Sequence, residues 1–218
     1  MKPKFAIFII LISLLTSCSS IEVNKIAPGY VEAFGVIKKA VFGQENYIDP
    51  KVISSIPYAS MLVRIGKGPE ALMILESVYD DNYTWISADG VYLVTRNGRI
   101  IQTQGLPNNL TNIMHPDIDW TDNEFEDTEF TSYYSFEKPL LNNLKVISSF
   151  SVGDIQDKNL SLTNLRLQKI EESLYSEEVN WSELNEYWID EKGYVWLSKQ
   201  SISPKLPPIY LEVTKKPR

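Results

Sequence analysis

Side chains that commonly carry nucleophilic or metal chemistry are scarce in this chain. Cys18 and His115 are the single cysteine and the single histidine among 218 residues. A Ser-His-Asp or Cys-His site would have to use His115, and no serine stands in a Gly-x-Ser-x-Gly motif. Zinc needs more His and Cys ligands than the sequence offers. We therefore predict no catalytic, cofactor-binding or metal site, and we interpret His115 as an ordinary loop histidine.

Carboxylates, in contrast, are abundant, with 28 Asp and Glu residues. Cleavage of a glycosidic bond needs only two carboxyl groups at a set separation, so their number leaves such an enzyme open. One acidic run lacks the glycine and closing glutamate of an EF-hand. It indicates a solvated loop rather than a calcium site, and its members are Asp117, Asp119, Asp122, Glu124, Glu126 and Asp127.

The N-terminal residues have the pattern of an export signal. Lys2 and Lys4 precede 12 uncharged residues, Phe5 to Thr16, which is shorter than the ~20 apolar residues that span a membrane. The next feature, Leu15-Thr16-Ser17-Cys18, resembles the bacterial lipobox. This resemblance implies that Cys18 takes a diacylglycerol, that the chain is cut before it, and that the new amine is acylated. Cys18 is therefore the predicted lipidation site.

Cleavage at this position defines the predicted domains: a signal peptide over 1–17, a tether over 18–29 and one β-rich periplasmic domain over 30–218. Loss of Lys2 and Lys4 moves the net charge from −7 to −9, which argues against nucleic acid as a partner. By analogy with enterobacterial sorting, the absence of Asp after Cys18 predicts the outer membrane, with the domain facing the periplasm.

Hydrophobic periodicity predicts one early helix followed by strands. Apolar residues recur at helical spacing over Tyr30 to Phe42. Asp89-Gly90 and Asn97-Gly98 predict two-residue hairpin turns with positive φ. Residues 106–127 indicate a polar connection, and 160–170 indicate a bulged strand, with a helix over 165–175 as the alternative. The other predicted strands are Ala59–Ile65, Ala71–Leu75, Tyr83–Ser87, Val91–Arg96, Arg99–Gln104, Leu144–Val152, Tyr194–Gln200 and Ile209–Val213.

These elements predict a mostly β fold: a large, bent antiparallel or mixed sheet, open or barrel-like, with a short N-terminal helix. Aromatic rings stack on sugars and arginine binds carboxylates, so aromatic and arginine residues of the early hairpins are candidate glycan or partner contacts. The alternative is that they serve packing and solubility. The candidates are Arg64, Trp85, Tyr92, Arg96 and Arg99, followed by the later hairpin residues Trp188, Tyr194 and Trp196.

Several segments together resemble the YjbF/GfcB family, the group 4 capsule polysaccharide lipoproteins. The matching segments are Ile56-Pro57-Tyr58-Ala59-Ser60, Trp85-Ile86-Ser87-Ala88-Asp89-Gly90, Leu93 to Ile100, Thr103 to Leu110, Tyr187 to Asp190 with Gly193, and Ser198 with Gln200. The resemblance implies a role in making or exporting capsule or exopolysaccharide. It implies partners among polysaccharides and envelope export proteins, such as an outer-membrane barrel, and it carries over no catalytic residue.

The sequence thus predicts a non-catalytic outer-membrane lipoprotein, held to the membrane by its lipid, that assists capsule or exopolysaccharide synthesis or export by binding glycan or a partner. The first alternative is a periplasmic polysaccharide-modifying enzyme that uses paired carboxylates. The second is a barrel that holds a small apolar ligand, which needs an apolar cavity of about a few hundred Å³.

Overall fold

The computed structural model describes residues 47–122, 125, 126 and 128–217. The predicted signal, the tether, Cys18 and the helix at 30–42 lie outside these residues and stay predictions. A short helix that the sequence analysis did not predict, α1 (Pro50–Ser55), begins after Asp49, whose side chain accepts a hydrogen bond from the Lys51 N–H. In the described part of the chain, no helix is long and apolar enough to cross a membrane.

The rest of the described chain forms a single sheet of 12 strands. The long β8–β9 hairpin includes residues 165–175, so the helix alternative for this segment is wrong. The strands are β1 (Ser60–Ile65), β2 (Glu70–Tyr79), β3 (Asn82–Ser87), β4 (Tyr92–Arg96), β5 (Arg99–Gln104), β6 (Leu110–Met114), β7 (Glu129–Phe136), β8 (Leu141–Asn159), β9 (Asn164–Ser176), β10 (Trp181–Ile189), β11 (Val195–Gln200) and β12 (Ile209–Lys215).

The sheet is a nearly closed up-and-down barrel with its seam in the middle of the chain. Its order is β5-β4-β3-β2-β1-β12-β11-β10-β9-β8-β7-β6, so β1 pairs with β12 and the two edge strands are β5 and β6. At the seam the Leu110 N–H donates to Thr103 Oγ1 at 2.9 Å. All pairings between the named strands are antiparallel, which confirms the predicted bent, barrel-like sheet.

Side chains from elsewhere in the barrel bond to the β4–β5 turn and to the start of β5. The Gln200 side chain on β11 accepts from the Ile100 N–H at 2.9 Å and donates to the Gly98 carbonyl at 2.8 Å. Trp120 donates through Nε1 to the Asn97 carbonyl at 2.7 Å. Because an unpaired strand edge is a site for unwanted pairing, these bonds both close the seam and protect it.

The barrel interior is filled by alternate residues of the strands, as period-two patterns require. Met61, Val63 and Met73 face this core, while Leu72 and Ile74, on the opposite face of β2, are also buried. The predicted strand Ala71–Leu75 is therefore buried on both faces at its centre. Lys215 fixes α1 beside the start of β1 by donating to the carbonyls of Ser54 and Ile56.

The segment 106–127 is more structured than predicted. It contains β6, and Ile118, Trp120 and Phe125 within it are buried. These three pack against Phe150 and Tyr187 of the barrel wall. The sequence analysis missed these three apolar residues because polar residues surround them. Their spacing matches neither the helix period nor the strand period.

Asn97-Gly98 forms the predicted hairpin turn, with φ of 48° and 75°. A Cβ on Gly98 would lie 2.4 Å from Val195 Cβ, whereas a Cβ on Gly90, whose φ is 82°, would meet nothing within 4 Å. The two glycines therefore share a left-handed backbone but differ in their surroundings.

We predict that Gly90→Ala lowers the free energy of unfolding by about 1–2 kcal/mol, the cost of a left-handed non-glycine residue. Gly98→Ala should lose about 1–3 kcal/mol more, because it also overpacks against Val195. Denaturant unfolding of both variants measures the difference, and equal losses would show that the Gly98–Val195 approach is not tight.

Candidate functional site

One end of the barrel carries an aromatic cavity. In an all-antiparallel barrel alternate connections lie at the same end, so the β2–β3, β4–β5 and β10–β11 turns, the start of β1 and the end of β12 lie together; we call this the pocket end. The cavity there has a volume of about 250 Å³. It is lined by Met61, Tyr83, Trp85, Thr95, Asn97, Gly98, Lys192, Gly193, Tyr194, Val195, Trp196, Ser198, Leu211, Val213 and Pro217.

Two pairs of aromatic rings contribute to the cavity wall. Tyr83 and Trp85 are alternate residues of β3, with ring centroids 6.4 Å apart. Tyr194 and Trp196 come from the start of β11, with centroids 5.5 Å apart and ring planes at 74°. Trp196 is the extra residue of a β-bulge, because β10 residues 188 and 189 pair with residues 197 and 195. Bulges redirect side chains at barrel rims, and this one changes the direction of Trp196.

The second aromatic pair is held by a charged contact outside the cavity. Asp190 accepts from Trp196 Nε1 at 2.9 Å and from Lys216 Nζ at 2.7 Å. The Lys216 ammonium lies 3.9 Å from the Tyr194 ring centroid and 4.5 Å from that of Trp196. Burial by itself would raise the pKa of Asp190, but these hydrogen bonds outweigh it and lower the pKa. The rings are therefore fixed in place before any ligand arrives.

The inner end of the cavity is closed. Its wall there consists of Met61, Thr95 and Ser198, all buried, and Gly98 lies against Val195. Trp85 donates through Nε1 to Thr95 Oγ1 at 2.9 Å, which fixes the indole. The cavity is therefore a blind pocket rather than a channel through the barrel.

A buried ion pair lies inside the barrel. Arg99 on β5 contacts Glu172 on β9 at 2.5 Å, and both side chains are almost fully buried. Glu172 also accepts from the Tyr187 hydroxyl at 2.7 Å and from Asn185 Nδ2 at 3.0 Å. Burial alone would lower the pKa of Arg99, but the Glu172 charge reverses this and raises it. Burial and the same carboxylate raise the pKa of Tyr187, so its hydroxyl stays a donor.

His115 lies near this ion pair without joining it. Its Nδ1 is 2.6 Å from the Pro116 carbonyl. Burial and, after it, the positive charge of Arg99 lower its pKa, so the ring is neutral at physiological pH.

The structure does not bring the five candidate contact residues together. Trp85 lines the cavity, and Arg96 lies beside the same turn, where its Nε donates to Asn82 Oδ1 at 2.8 Å. Arg96 and Arg99 pair directly across the hairpin, as predicted, but Arg99 is buried and is not accessible to a surface partner. Tyr92 lies towards the opposite end of the barrel, as does Arg64, whose guanidinium is 4.2 Å from the Tyr210 ring centroid.

A second cleft, of about 250 Å³, lies on the outward face of β1, β2 and β10–β12 and contains two carboxylates, those of Glu70 and Glu212. Trp188, Tyr210 and Arg64 also line it. Glu212 accepts from the Ser161 N–H at 2.6 Å. In the described residues, no group of three or more His, Cys, Asp or Glu side chains is placed to hold a metal ion.

Comparison with known proteins gives the family. The sequence profile of the group 4 capsule polysaccharide lipoproteins GfcB and YjbF matches residues 34–214. The chain belongs to this family. The lipoprotein GfcB of Escherichia coli K12 is 24% identical over 177 residues, which cover 79% of this chain and 83% of GfcB. The lipoprotein YjbF of the same organism is 21% identical over 169 residues, or 75% and 78% of the two chains.

The fold is also shared with a solved structure. The crystal structure of the lipoprotein YmcC from Escherichia coli K12 superposes with a TM-score of 0.74 at 21% identity, covering 88% of this chain and 97% of YmcC. The likeness confirms the predicted fold. Membership in a lipoprotein family also supports a location in the cell envelope and a capsule-related role.

Several lining residues of the cavity were not candidates in the sequence analysis, namely Tyr83, Asn97, Lys192 and Pro217. Tyr194 and Trp196 were noted only as late-hairpin aromatics. Tyr83 could have been found, since it is the alternate neighbour of Trp85 and must share its face. No sequence pattern marks Lys192 as a lining residue. Its position in the cavity depends on the contact between two turns, β4–β5 and β10–β11, that are distant in sequence.

We predict that Arg99→Met destabilises the fold by about 3–5 kcal/mol, since it leaves the Glu172 carboxylate buried without its cation. Arg96→Met, directly opposite on the same hairpin but half-exposed, should cost less than about 1 kcal/mol. Replacing both partners, Arg99→Met with Glu172→Met, should be less destabilising than Arg99→Met alone. Denaturant unfolding compares the three, and a similar loss for Arg96→Met and Arg99→Met would contradict the importance of the ion pair.

Proposed function

We propose that this protein is an outer-membrane lipoprotein, facing the periplasm, that assists capsule or exopolysaccharide synthesis or export as a non-catalytic binding component. The observation that carries the proposal is the blind aromatic cavity at the pocket end. Its ligand is a glycan, and the protein works beside envelope export proteins.

The chemistry of the cavity supports a glycan. Aromatic faces contact the apolar C–H faces of sugar rings, and polar groups at the edges bond the hydroxyls. Tyr83, Trp85, Tyr194 and Trp196 supply the faces, while Asn97 supplies an amide. Barrel mouths are common places for such sites, and the family is that of the group 4 capsule polysaccharide lipoproteins.

The lipid anchor is the second part of the proposal. It rests on Leu15-Thr16-Ser17-Cys18 and on the family. Ser19 and Ser20 follow the cysteine in place of Asp, which supports the outer membrane by analogy with enterobacterial sorting. Three acyl chains would hold the protein stably, since two already suffice.

We predict that Trp196→Ala lowers capsule or exopolysaccharide output several-fold in a strain that lacks the native gene, because it removes one stacking surface. Tyr175→Ala is the matched control: Tyr175 is an outward-facing aromatic, 47% exposed, far from the cavity. Surface polysaccharide is quantified at equal protein abundance and matching melting temperature. Normal output from Trp196→Ala at normal abundance would refute a role for the cavity.

We also predict that Cys18→Ala abolishes lipidation. The variant should incorporate no labelled palmitate, should remain as the uncut precursor, and should be lost from outer-membrane fractions. Ser19→Ala serves as a control that keeps the thiol. Palmitate in the Cys18→Ala protein would show that the anchor lies elsewhere.

A second function is that of a periplasmic polysaccharide-modifying enzyme. The observation that favours it is the outward cleft, where Glu70 and Glu212 lie with Trp188 and Tyr210, because paired carboxylates and aromatic walls are features of glycosidases. The two functions predict different effects on the polysaccharide. An enzyme would change the length or composition of the polysaccharide, and Glu70→Gln or Glu212→Gln would abolish that change. A binding component would alter only the amount exported.

A further inference from the structure

We infer that the cavity at the pocket end binds one acidic pyranose ring, a uronate, at the end or at a branch of a polysaccharide chain rather than along it. The inference rests on the proposed function and adds to it the class of sugar and the mode of binding. Four observations carry it: the size and closure of the cavity, the charge of its lining, the unused hydroxyl donors at its inner wall, and its aromatic rings.

The size of the cavity limits the ligand to about one ring. Its volume, about 250 Å³, lies below the ~300–1,000 Å³ of sites for drug-sized molecules. Its lining residues Met61, Thr95 and Ser198 are buried, and next to Ser198 the buried Gln200 bonds to the buried Ile100. A polysaccharide therefore cannot pass through the barrel, and only a terminal or branching residue can enter.

The charge of the lining favours an anion. The whole chain has a net charge of −7, yet the described lining residues include one lysine, Lys192, and no Asp or Glu. The two nearby cations are neutralised, since Lys216 pairs with Asp190 at 2.7 Å and Arg96 with Asp117 at 3.7 Å. Within the described residues Lys192 has no such ion pair. A carboxylate on the ligand would complement this charge.

Two buried hydroxyls at the inner wall are poised to bond sugar oxygens. Thr95 Oγ1 accepts from Trp85 at 2.9 Å, and Ser198 Oγ accepts from Gln200 at 2.8 Å. The oxygen of each hydroxyl thus accepts a hydrogen bond from the protein. The hydrogen of each hydroxyl remains available to donate. In the described residues neither hydroxyl hydrogen has a protein acceptor. A ring hydroxyl oxygen that reached this wall would supply one.

The aromatic pairs give the cavity surfaces that contact the apolar C–H face of a pyranose ring. The Lys216 ammonium lies over the rings of Tyr194 and Trp196 but does not line the cavity, so it supports these rings from outside. The ligand therefore meets rings that are already held. Such preorganisation lowers the entropic cost of binding.

The test measures sugar binding by the purified full-length lipoprotein in detergent. The probes are methyl glucuronide, methyl glucoside, and a decasaccharide of neutral sugars that ends in one glucuronate. We expect the glucuronide to bind more tightly than the glucoside. We expect the affinity of the decasaccharide, per mole of chain, to agree with that of the glucuronide within about twofold, because one ring makes the contacts.

The variants separate the two parts of the site. Lys192→Gln should weaken glucuronide binding about fivefold, or about 1 kcal/mol, and leave glucoside binding unchanged. Lys205→Gln, an exposed lysine on the β11–β12 connection at the other end of the barrel, is the matched control and should change neither. Trp196→Ala should weaken both sugars at least tenfold, while Tyr175→Ala should not.

Three outcomes would overturn the inference. A decasaccharide that binds tenfold or more tightly than the glucuronide would indicate a groove along the chain. Equal losses of glucuronide binding in Lys192→Gln and Lys205→Gln would indicate that binding depends on the diffuse charge of the protein and not on this site. No sugar binding at all would exclude the subsite; if polysaccharide output still depended on Trp196, the cavity would bind an envelope protein and the broader proposed function would stand.

Discussion

The contact between Arg99 and Glu172 is the constraint on which the rest of the barrel depends. The first and last strands, β1 and β12, are paired as in other up-and-down barrels, but here the seam falls between β5 and β6. On the edge that faces β6, β5 must therefore be held by something other than a ladder. A buried cation that meets a buried carboxylate at 2.5 Å does this, and Tyr187 and Asn185 satisfy the remaining carboxylate positions.

Such a pair is costly to desolvate and contributes little net stability over a hydrophobic contact. Its effect here is on the specificity of strand register, because Arg99 reaches the Glu172 carboxylate in one register of the β4–β5 hairpin. Gln200 acts in the same way on the backbone of that hairpin, through Ile100 and Gly98. A shift of β5 by one residue would take the cation away from the buried Glu172 carboxylate and the backbone partners away from the buried Gln200 amide.

Closing the seam also builds the cavity. The turn that carries Arg99 towards Glu172 places Gly98 against Val195 and so forms the inner wall of the aromatic pocket. The opposite wall contains Trp196 at the bulge, whose indole is held from outside the cavity by Asp190 and Lys216. The site is therefore a consequence of how the barrel closes. This explains why residues from β1, β3, β4, β11 and β12 all reach it, although no short segment of the chain contains it.

The sequence by itself determined the class of the protein and most of its strands. Alternating apolar residues, Asp89-Gly90 and Asn97-Gly98 predicted the β-meander, because side-chain period and turn chemistry are local properties. The lipobox predicted Cys18, and the ordered segments predicted the family. Tertiary structure alone decided which strands meet at the seam, that Arg99 is buried while its neighbour Arg96 is not, and that Lys192 and Trp85 line the same cavity. These outcomes depend on the number of strands and on which edges close, and no local pattern in the chain encodes that closure.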